Sequence, residues 1–216
     1  MANTCTAADA GVRLLNMKPK LTGKAYDQIT HRWARDTFNN ENGIDQHKRA
    51  IAFVESCGIA LDVGCGCNSR YLECLTSKGF VYEGLDVSEE MISLARKQNP
   101  DVVFHHADIC KWKNTQKYDF ISAWDSIWHV PLDRQEQVIS KLVSLLNPNG
   151  VLIFSFGGPE EPGEYTNELM GPMVYYSTLG TTAYLQLVAK LGCINRHFEY
   201  DQYPEPHAFI IAQKTA

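Results

Sequence analysis

Long apolar runs, surplus basic residues and paired cysteines are all scarce in this 216-residue sequence. No apolar stretch approaches the ~20 residues needed to cross a bilayer, and the first twenty residues contain no signal-peptide core. Even the longest run, from Val151 to Phe156, is interrupted by Ser155. We therefore expect no membrane partner and a cytoplasmic location.

The charge balance argues against nucleic-acid binding. The 20 Lys and Arg residues are outnumbered by 25 Asp and Glu residues, which leaves a net charge of -5. Proteins that bind nucleic acids draw much of their affinity from clustered Lys and Arg residues. No nucleic-acid partner is expected, and the oligomeric state stays open.

The seven cysteines form no Cys-x-x-Cys pair, and their number is odd. In a reducing compartment such cysteines are small buried residues or free thiols. Cys65 and Cys67 lie two positions apart, but two thiolates without nearby histidines make a poor zinc site. The sequence therefore predicts neither a disulfide framework nor a metal site.

A hydrophobic content of 44% suits one folded core. We expect a flexible segment over 1–24 and a single domain over 25–216. Short apolar runs alternate with amphipathic segments, a pattern typical of parallel βαβ units. The expected strands are 59–63, 80–85, 102–106, 118–124, 151–156, 193–200 and 207–213. The expected helices are 26–38, 45–56, 69–78, 89–98, 133–146 and 181–191, with Asp45 as a possible cap.

Two of the segments that connect the expected strands and helices lead to further predictions. The polar segment 157–171 interrupts the alternation and is predicted to be an active-site loop. The short connection 203–206 predicts that the last two strands pair as an antiparallel hairpin.

A glycine-containing turn follows the first expected strand, in the sequence Leu61-Asp62-Val63-Gly64-Cys65-Gly66-Cys67-Asn68. Ligands of open parallel sheets bind beyond the carboxyl ends of the strands, where glycines allow close approach of the backbone. Asp86 ends the next strand, near the spacing at which a carboxylate accepts ribose hydroxyls. Ser88 is the better cap for the helix that begins at Glu89.

Two differences from the dinucleotide-binding fingerprint indicate which nucleotide-like ligand the glycine turn suits. A dinucleotide fingerprint requires a third glycine where this chain has Ser69, and Asp62 beside the loop would repel a pyrophosphate. A ligand with a positive charge and no phosphate is tolerated better. This description matches S-adenosylmethionine.

The chain resembles the class I S-adenosylmethionine-dependent methyltransferases from about Tyr26 to the C-terminus. The motifs that carry the resemblance occur in order: Asp62-x-Gly64-x-Gly66, Asp86, Ala107-Asp108-Ile109 and Tyr118-Asp119-Phe120-Ile121. The resemblance implies an α/β, Rossmann-like seven-stranded sheet of order 3-2-1-4-5-7-6, with strand 7 antiparallel and helices on both faces. Asn68 stands where the family often has a third glycine.

The resemblance also implies a set of cofactor-binding residues for S-adenosyl-L-methionine. Asp86 would accept the ribose hydroxyls, Asp108 would accept the adenine amino group, and Val87 and Met91 would pack on the adenine. The full set is Asp62, Gly64, Cys65, Gly66, Asp86, Val87, Met91, Ala107, Asp108, Ile109, Ala123, Trp124 and Asp125.

An aromatic region is expected over the ends of the fourth and fifth strands, and it suits a small-molecule methyl acceptor. The expected substrate-pocket residues are Tyr26, Trp33, Trp128, His129, Tyr165, Tyr175, Tyr176 and His207. His129 is the candidate general base, and packing of the turn is the alternative role. The resemblance places an N-terminal helical lid over 25–57, in which Tyr26, Arg32 and Trp33 would cover the ligand; simple packing of a helix is again the alternative.

The leading hypothesis is a methyltransferase that acts on a small molecule by in-line methyl transfer. A catalytically silent cofactor-binding module that regulates a partner, and an NAD-type oxidoreductase, are the alternatives. The sequence leaves the acceptor and the methylated atom open.

Overall fold

The computed structural model describes residues 19–35 and 37–216. The strands are β1 (Ile59–Val63), β2 (Val81–Asp86), β3 (Val103–His106), β4 (Tyr118–Ala123), β5 (Leu146–Gly157), β6 (Gly163–Asn167), β7 (Val174–Thr178), β8 (Cys193–Glu199) and β9 (His207–Lys214). The α-helices of this part are α1 (Pro19–Ile29), α2 (Ile44–Ile51), α3 (Leu72–Thr76), α4 (Glu89–Gln98), α5 (Gln135–Leu145) and α6 (Thr181–Lys190). Short 3-10 helices span Thr30–Arg32, Ile127–His129 and Leu132–Arg134.

Seven strands form one sheet in the order β3-β2-β1-β4-β5-β9-β8. The strands from β3 to β5 pair in parallel, whereas β9 runs antiparallel to both β5 and β8. This arrangement confirms the predicted α/β sheet and the terminal antiparallel pair. The parallel strands place their carboxyl ends along one edge, where α/β sheets bind ligands.

Apolar residues cover both faces of the central strands. Leu61, Ile121 and Phe154 face one hydrophobic cluster, and Phe120 and Ile153 face the other. Consecutive residues of a strand point to opposite faces. A strand that is buried on both sides therefore consists almost entirely of apolar residues, as β4 and β5 do.

The N-terminal helices differ from their predicted bounds. Helix α1 begins at Pro19, within the segment expected to be flexible, and ends at Ile29 rather than continuing to Phe38. Residues 1–18 of the expected flexible segment lie outside the described residues.

Helix α2 does not begin with an Asp45 cap, so that prediction is wrong. Its N-cap is Gly43, whose φ of 85° lies in the left-handed region that favours glycine. A side chain at Gly43 would also collide with Tyr71 and Trp124. The helix ends at Ile51, several residues before the predicted end.

The polar segment after β5 contains regular structure that its composition did not reveal. Strands β6 and β7 form a separate antiparallel pair, in which Glu164 lies opposite Ser177. β6 is largely exposed and carries no apolar alternation, so period-two patterning could not identify it. In the described part of the chain, no helix is both long and apolar enough to cross a membrane.

Candidate active site

A cavity of about 370 Å³ opens at the carboxyl edge of the parallel strands. One side, which we call the glycine end, is formed by Gly64, Cys65, Gly66, Asp86 and Asp108. A second part of the lining, which we call the aromatic wall, is formed by Tyr26, Trp33, Trp128, His129 and Tyr176. The other predicted residues that line the cavity are Val87, Met91, Ala107, Ile109, Trp124, Asp125 and His207.

Four predicted site residues do not line the cavity. Asp62 is buried behind the glycine turn, where its carboxylate accepts a hydrogen bond of 2.8 Å from Tyr82, and Ala123 is fully buried in β4. Tyr165 is largely exposed and stacks on Tyr176. Tyr175, the fourth, is buried, and its hydroxyl donates to Glu164 and accepts from the Leu132 N–H.

The glycine turn folds tightly over the end of β2. The Gly64 and Cys65 N–H groups both donate to the Leu85 carbonyl, at 2.7 and 3.1 Å. Gly64 has a φ of 81°, and a Cβ atom there would collide with Ser126. Glycine is therefore required at this position, both for its backbone angles and for the close approach of the next loop.

Asp86 is held rigidly at the glycine end by two backbone groups. Its Oδ2 accepts from the Gly66 N–H at 3.0 Å, and its Oδ1 accepts from the Ser88 N–H at 2.9 Å. Burial raises the pKa of this carboxyl, although the hydrogen bonds from Ser88 and Gly66 oppose that rise. Each oxygen keeps a second lone pair, so the carboxylate can still accept ligand hydroxyls.

Residues near Asp86 complete the glycine end of the cavity. Asp108 Oδ1 accepts from the Cys110 N–H at 2.9 Å, which orients the carboxylate at the end of β3. Val87 and Met91 supply apolar surface beside it. Ser88 caps α4 by accepting from the Met91 N–H at 3.1 Å, which confirms the prediction that Ser88 is the cap.

Helix α1 supplies lining residues of the cavity and contacts both of its ends. Gly23 approaches β2 so closely that a Cβ atom would lie 2.5 Å from the Val87 carbonyl oxygen. Asp27 accepts from the Ser88 hydroxyl at 2.6 Å, and the Tyr26 hydroxyl lies 2.8 Å from His129 Nε2. Arg32, which the sequence placed in a covering role, is exposed and lies outside the cavity lining.

The contacts of His129 define its tautomer. Nδ1 lies 2.7 Å from the Tyr175 carbonyl oxygen, which can only accept, so Nδ1 carries the hydrogen. The single lone pair of Nε2 is then shared, in a three-centre hydrogen bond, by the Trp128 Nε1–H at 3.0 Å and the Tyr26 hydroxyl at 2.8 Å. Burial lowers the pKa of His129 to about 4, so the ring is neutral at physiological pH.

His207 has the opposite charge state. Its Nε2 lies 3.0 Å from Asp125 Oδ1 and its Nδ1 lies 2.5 Å from Asp201 Oδ1. Burial opposes protonation, but the hydrogen bonds and charges of these two carboxylates outweigh it and raise the pKa to about 9. Both ring nitrogens therefore donate, and His207 is an imidazolium ion near neutral pH.

Arg70 is a lining residue that sequence reasoning missed. Its guanidinium donates to the Asn42 carbonyl at 3.1 Å and lies 3.8 Å from Asp125 Oδ2. Together, Arg70, Asp125, His207 and Asp201 form a row of alternating charges, which we call the ion-pair chain. The other lining residues not predicted from the sequence are Pro19, Thr22, Phe38, Asn42, Val63, Asn68, Leu85, Ser126, Ile127, Val130, Met170 and Gln202.

The cavity has the chemistry that the expected cofactor requires. Four side-chain polar atoms of the described residues are buried without a hydrogen-bond partner, and three of them, Arg70 Nε, Trp124 Nε1 and Ser126 Oγ, belong to residues that line the cavity. The carboxylate of a methionyl group would satisfy such donors, while Asp86 can accept ribose hydroxyls. The residues therefore fit S-adenosylmethionine.

Comparison with known sequences points to the same chemistry. Residues 60–150 match the family model described as a methyltransferase domain. Trans-aconitate 2-methyltransferase of Escherichia coli O157:H7 is 34% identical over 170 residues, which cover 73% of this chain and 66% of that enzyme. The corresponding enzyme of Shigella dysenteriae is 35% identical over the same share of each chain. This chain thus spans about 66% of the length of these curated relatives.

Solved structures share the fold at low sequence identity. The 1,6-didemethyltoxoflavin-N1-methyltransferase of Burkholderia thailandensis superposes with a TM-score of 0.70 at 14% identity, covering 100% of this chain and 94% of that one. Magnesium protoporphyrin IX methyltransferase of Synechocystis gives 0.67 at 18% identity, covering 99% and 100%. From the family model, these relatives and the sheet order, the chain belongs to the class I S-adenosylmethionine-dependent methyltransferases.

Proposed function

We propose that this protein transfers a methyl group from S-adenosylmethionine to a small-molecule acceptor by in-line displacement. One observation carries the proposal: a single cavity joins the rigid glycine end to the aromatic wall. An in-line reaction needs the donor and the acceptor in one enclosed space that excludes water. The match to a methyltransferase domain also argues against an NAD-type oxidoreductase.

The glycine end supplies the groups for cofactor binding. Asp86 would hold the ribose hydroxyls, and Asp108 would accept from the adenine amino group. Arg70 would bind the carboxylate of the methionyl part. When bound, the cofactor supplies an activated methyl group on a sulfonium, so no covalent nucleophile of the protein is needed.

The aromatic wall would position the acceptor and exclude water. His129 uses its Nδ1 hydrogen and its Nε2 lone pair within the protein. This geometry favours a role in orienting Tyr26 over proton removal as a general base. Helix α1 would act as the cover, because it contacts both ends of the cavity.

The proposal is tested by incubating the protein with S-adenosylmethionine and a metabolite extract, then identifying the methylated species by mass spectrometry. Calorimetry with S-adenosylhomocysteine measures cofactor binding separately. Binding together with a methylated product supports the enzyme. Binding without turnover across a broad acceptor panel would instead support a silent regulatory module. No binding would contradict both.

We also propose a cytoplasmic location. The six cysteines of the described part of the chain, Cys57, Cys65, Cys67, Cys74, Cys110 and Cys193, are all free, as expected in a reducing compartment. Burial raises the pKa of the Cys65 and Cys67 thiols, so both remain protonated. Retention of the protein in the cytosolic fraction after cell lysis tests this location.

A further inference from the structure

The hydrogen-bond donors of the aromatic wall are mostly engaged within the protein. The Trp128 Nε1–H and the Tyr26 O–H share the single lone pair of His129 Nε2, and the His129 Nδ1–H donates to the Tyr175 carbonyl. The wall has two further donors, the Trp33 indole N–H and the Tyr176 hydroxyl, and neither of them carries a charge. Tyr26 Oη, having donated its hydrogen, presents lone pairs. At that atom the wall can accept a hydrogen bond but cannot give one.

No side chain of the aromatic wall carries a charge near neutral pH. Burial raises the pKa of Tyr176 to about 12 and that of Tyr26 well above its usual value, and His129 is neutral. The two cations of the cavity lining, Arg70 and His207, belong to the ion-pair chain and already face carboxylates, although the His207 ring lies 5.7 Å from that of Trp128. An anionic acceptor would be desolvated at this wall without a matching cation.

The charge of the whole cavity gives a second, independent argument. Its lining contains three carboxylates, those of Asp86, Asp108 and Asp125, against the two cations Arg70 and His207. Bound S-adenosylmethionine has one net positive charge, from its sulfonium, ammonium and carboxylate groups, and it would balance the excess carboxylate. No positive charge is then left over to attract an anionic acceptor.

The wall is built from flat rings that meet edge-on or tilted. The centroids of Tyr26 and Trp33 lie 5.1 Å apart, and those of His129 and Tyr176 lie 4.9 Å apart. Trp128 lies 6.5 Å from Tyr176 and extends the same surface. Rings in such arrangements offer faces and edges that favour another ring.

Resting on the proposed methyltransferase function, we propose that the acceptor is an uncharged aromatic or heteroaromatic molecule that donates an O–H or N–H hydrogen bond to Tyr26 Oη. The uncharged wall and the charge balance of the cavity exclude polycarboxylates as acceptors. The acceptor class of this protein therefore differs from the one in the name of its trans-aconitate relatives. The difference arises because the aromatic wall determines which acceptor binds, whereas the family's motifs determine which cofactor binds.

The test uses ring-matched probes with the full-length protein saturated with S-adenosylhomocysteine. Calorimetry measures the affinities for 2-naphthol, 2-naphthoate and trans-aconitate. We expect 2-naphthol to bind at least about tenfold more tightly than either anion. Equal or tighter binding of 2-naphthoate or trans-aconitate would overturn the proposal, and so would the failure of 2-naphthol to bind. Failure of S-adenosylhomocysteine to bind would instead count against the proposed function.

A variant separates the role of Tyr26 Oη from simple stacking. Tyr26→Phe keeps the ring but removes the acceptor oxygen, so 2-naphthol should bind several-fold more weakly. The control ligand 2-methoxynaphthalene has no donor, and its affinity should change by less than twofold. An unchanged affinity for 2-naphthol, in a variant that binds S-adenosylhomocysteine normally, would refute the predicted hydrogen bond.

Discussion

The glycine end of the cavity is formed by main chain and carboxylates at the ends of adjacent strands, whereas the aromatic wall is formed by rings from distant segments. At the glycine end, Asp86 is held by the N–H groups of Gly66 and Ser88. At the wall, Tyr26 and His129 meet although 103 positions separate them in the sequence. The glycine end is suited to a cofactor that stays the same, whereas the aromatic wall can change its specificity for the acceptor without any change in the strands.

The two histidines of the cavity show how their surroundings decide charge. His129 is buried against a carbonyl and two neutral donors, and its pKa falls to about 4. His207 is also buried, but it lies between Asp125 and Asp201, and its pKa rises to about 9. Burial alone favours the neutral form, and two carboxylates are sufficient to reverse that preference.

The largest expected effect concerns the stability contributed by His207. Its pKa is about 9 in the folded protein and about 6.5 when unfolded. The folded state therefore binds the proton more tightly, and the stabilisation is complete below pH ~6.5 and is lost as the pH rises through 9. The difference corresponds to about 3 kcal/mol.

Urea unfolding of the wild type and His207→Gln between pH 6 and pH 10 measures this contribution. The free energies of unfolding should differ by about 3 kcal/mol at pH 6 and converge above pH 9. The exposed His106→Gln serves as the matched control. A constant difference across this range would show that His207 is not the protonated partner of the two carboxylates.

The glycine end is tested by Asp86→Asn. The loss of hydrogen bonds to a charged group costs roughly 1.5 to 3 kcal/mol, so the affinity for S-adenosylhomocysteine should fall between about tenfold and 150-fold. Calorimetry gives the value, and thermal unfolding confirms that the fold is retained. The control is Asp101→Asn, an exposed carboxylate just before β3. Equal affinities of Asp86→Asn and wild type would remove Asp86 from the cofactor site.

The aromatic wall is tested by His129→Gln, with the acceptor identified by mass spectrometry. We expect kcat to fall roughly tenfold, or about 1.4 kcal/mol, because Tyr26 loses its anchor. Since the pKa of His129 is about 4, the deficit should be the same at every pH from 6 to 9. A deficit that shrinks as the pH rises would restore His129 as the general base. The exposed His31→Gln is the control.

The smallest effect is expected for the cover. If α1 closes over the cofactor, saturating S-adenosylhomocysteine should slow hydrogen exchange at residues 20–40 about threefold, a change of less than about 1 kcal/mol in local opening. Mass spectrometry of peptides from this segment measures the rates. The exposed β6 strand provides an internal reference. Unchanged exchange at 20–40 would show that α1 is a fixed packing helix.

The parts predicted correctly from the sequence depend on local chemistry. β1 and α4 have their predicted bounds, because a mostly apolar run that ends before Gly64 marks the strand and the Ser88 cap marks the start of the helix. Glycines next to a strand end require a tight turn whatever surrounds them. By contrast, β6 and β7 were missed because no residue of β6 is buried and nearly all of β7 is, so that neither strand shows a period-two pattern.

The sequence by itself determined the glycine turn and the carboxylate that follows β2, because each is encoded within a few neighbouring residues, whereas the strand order was implied by the resemblance to a known family. Only the tertiary structure decided the charge of the two cavity histidines and the composition of the wall. Arg70 joins the site through Asn42 and Asp125, and His207 owes its charge to two carboxylates from separate loops. Electrostatic interactions and desolvation depend on distance in space, which a linear pattern does not contain.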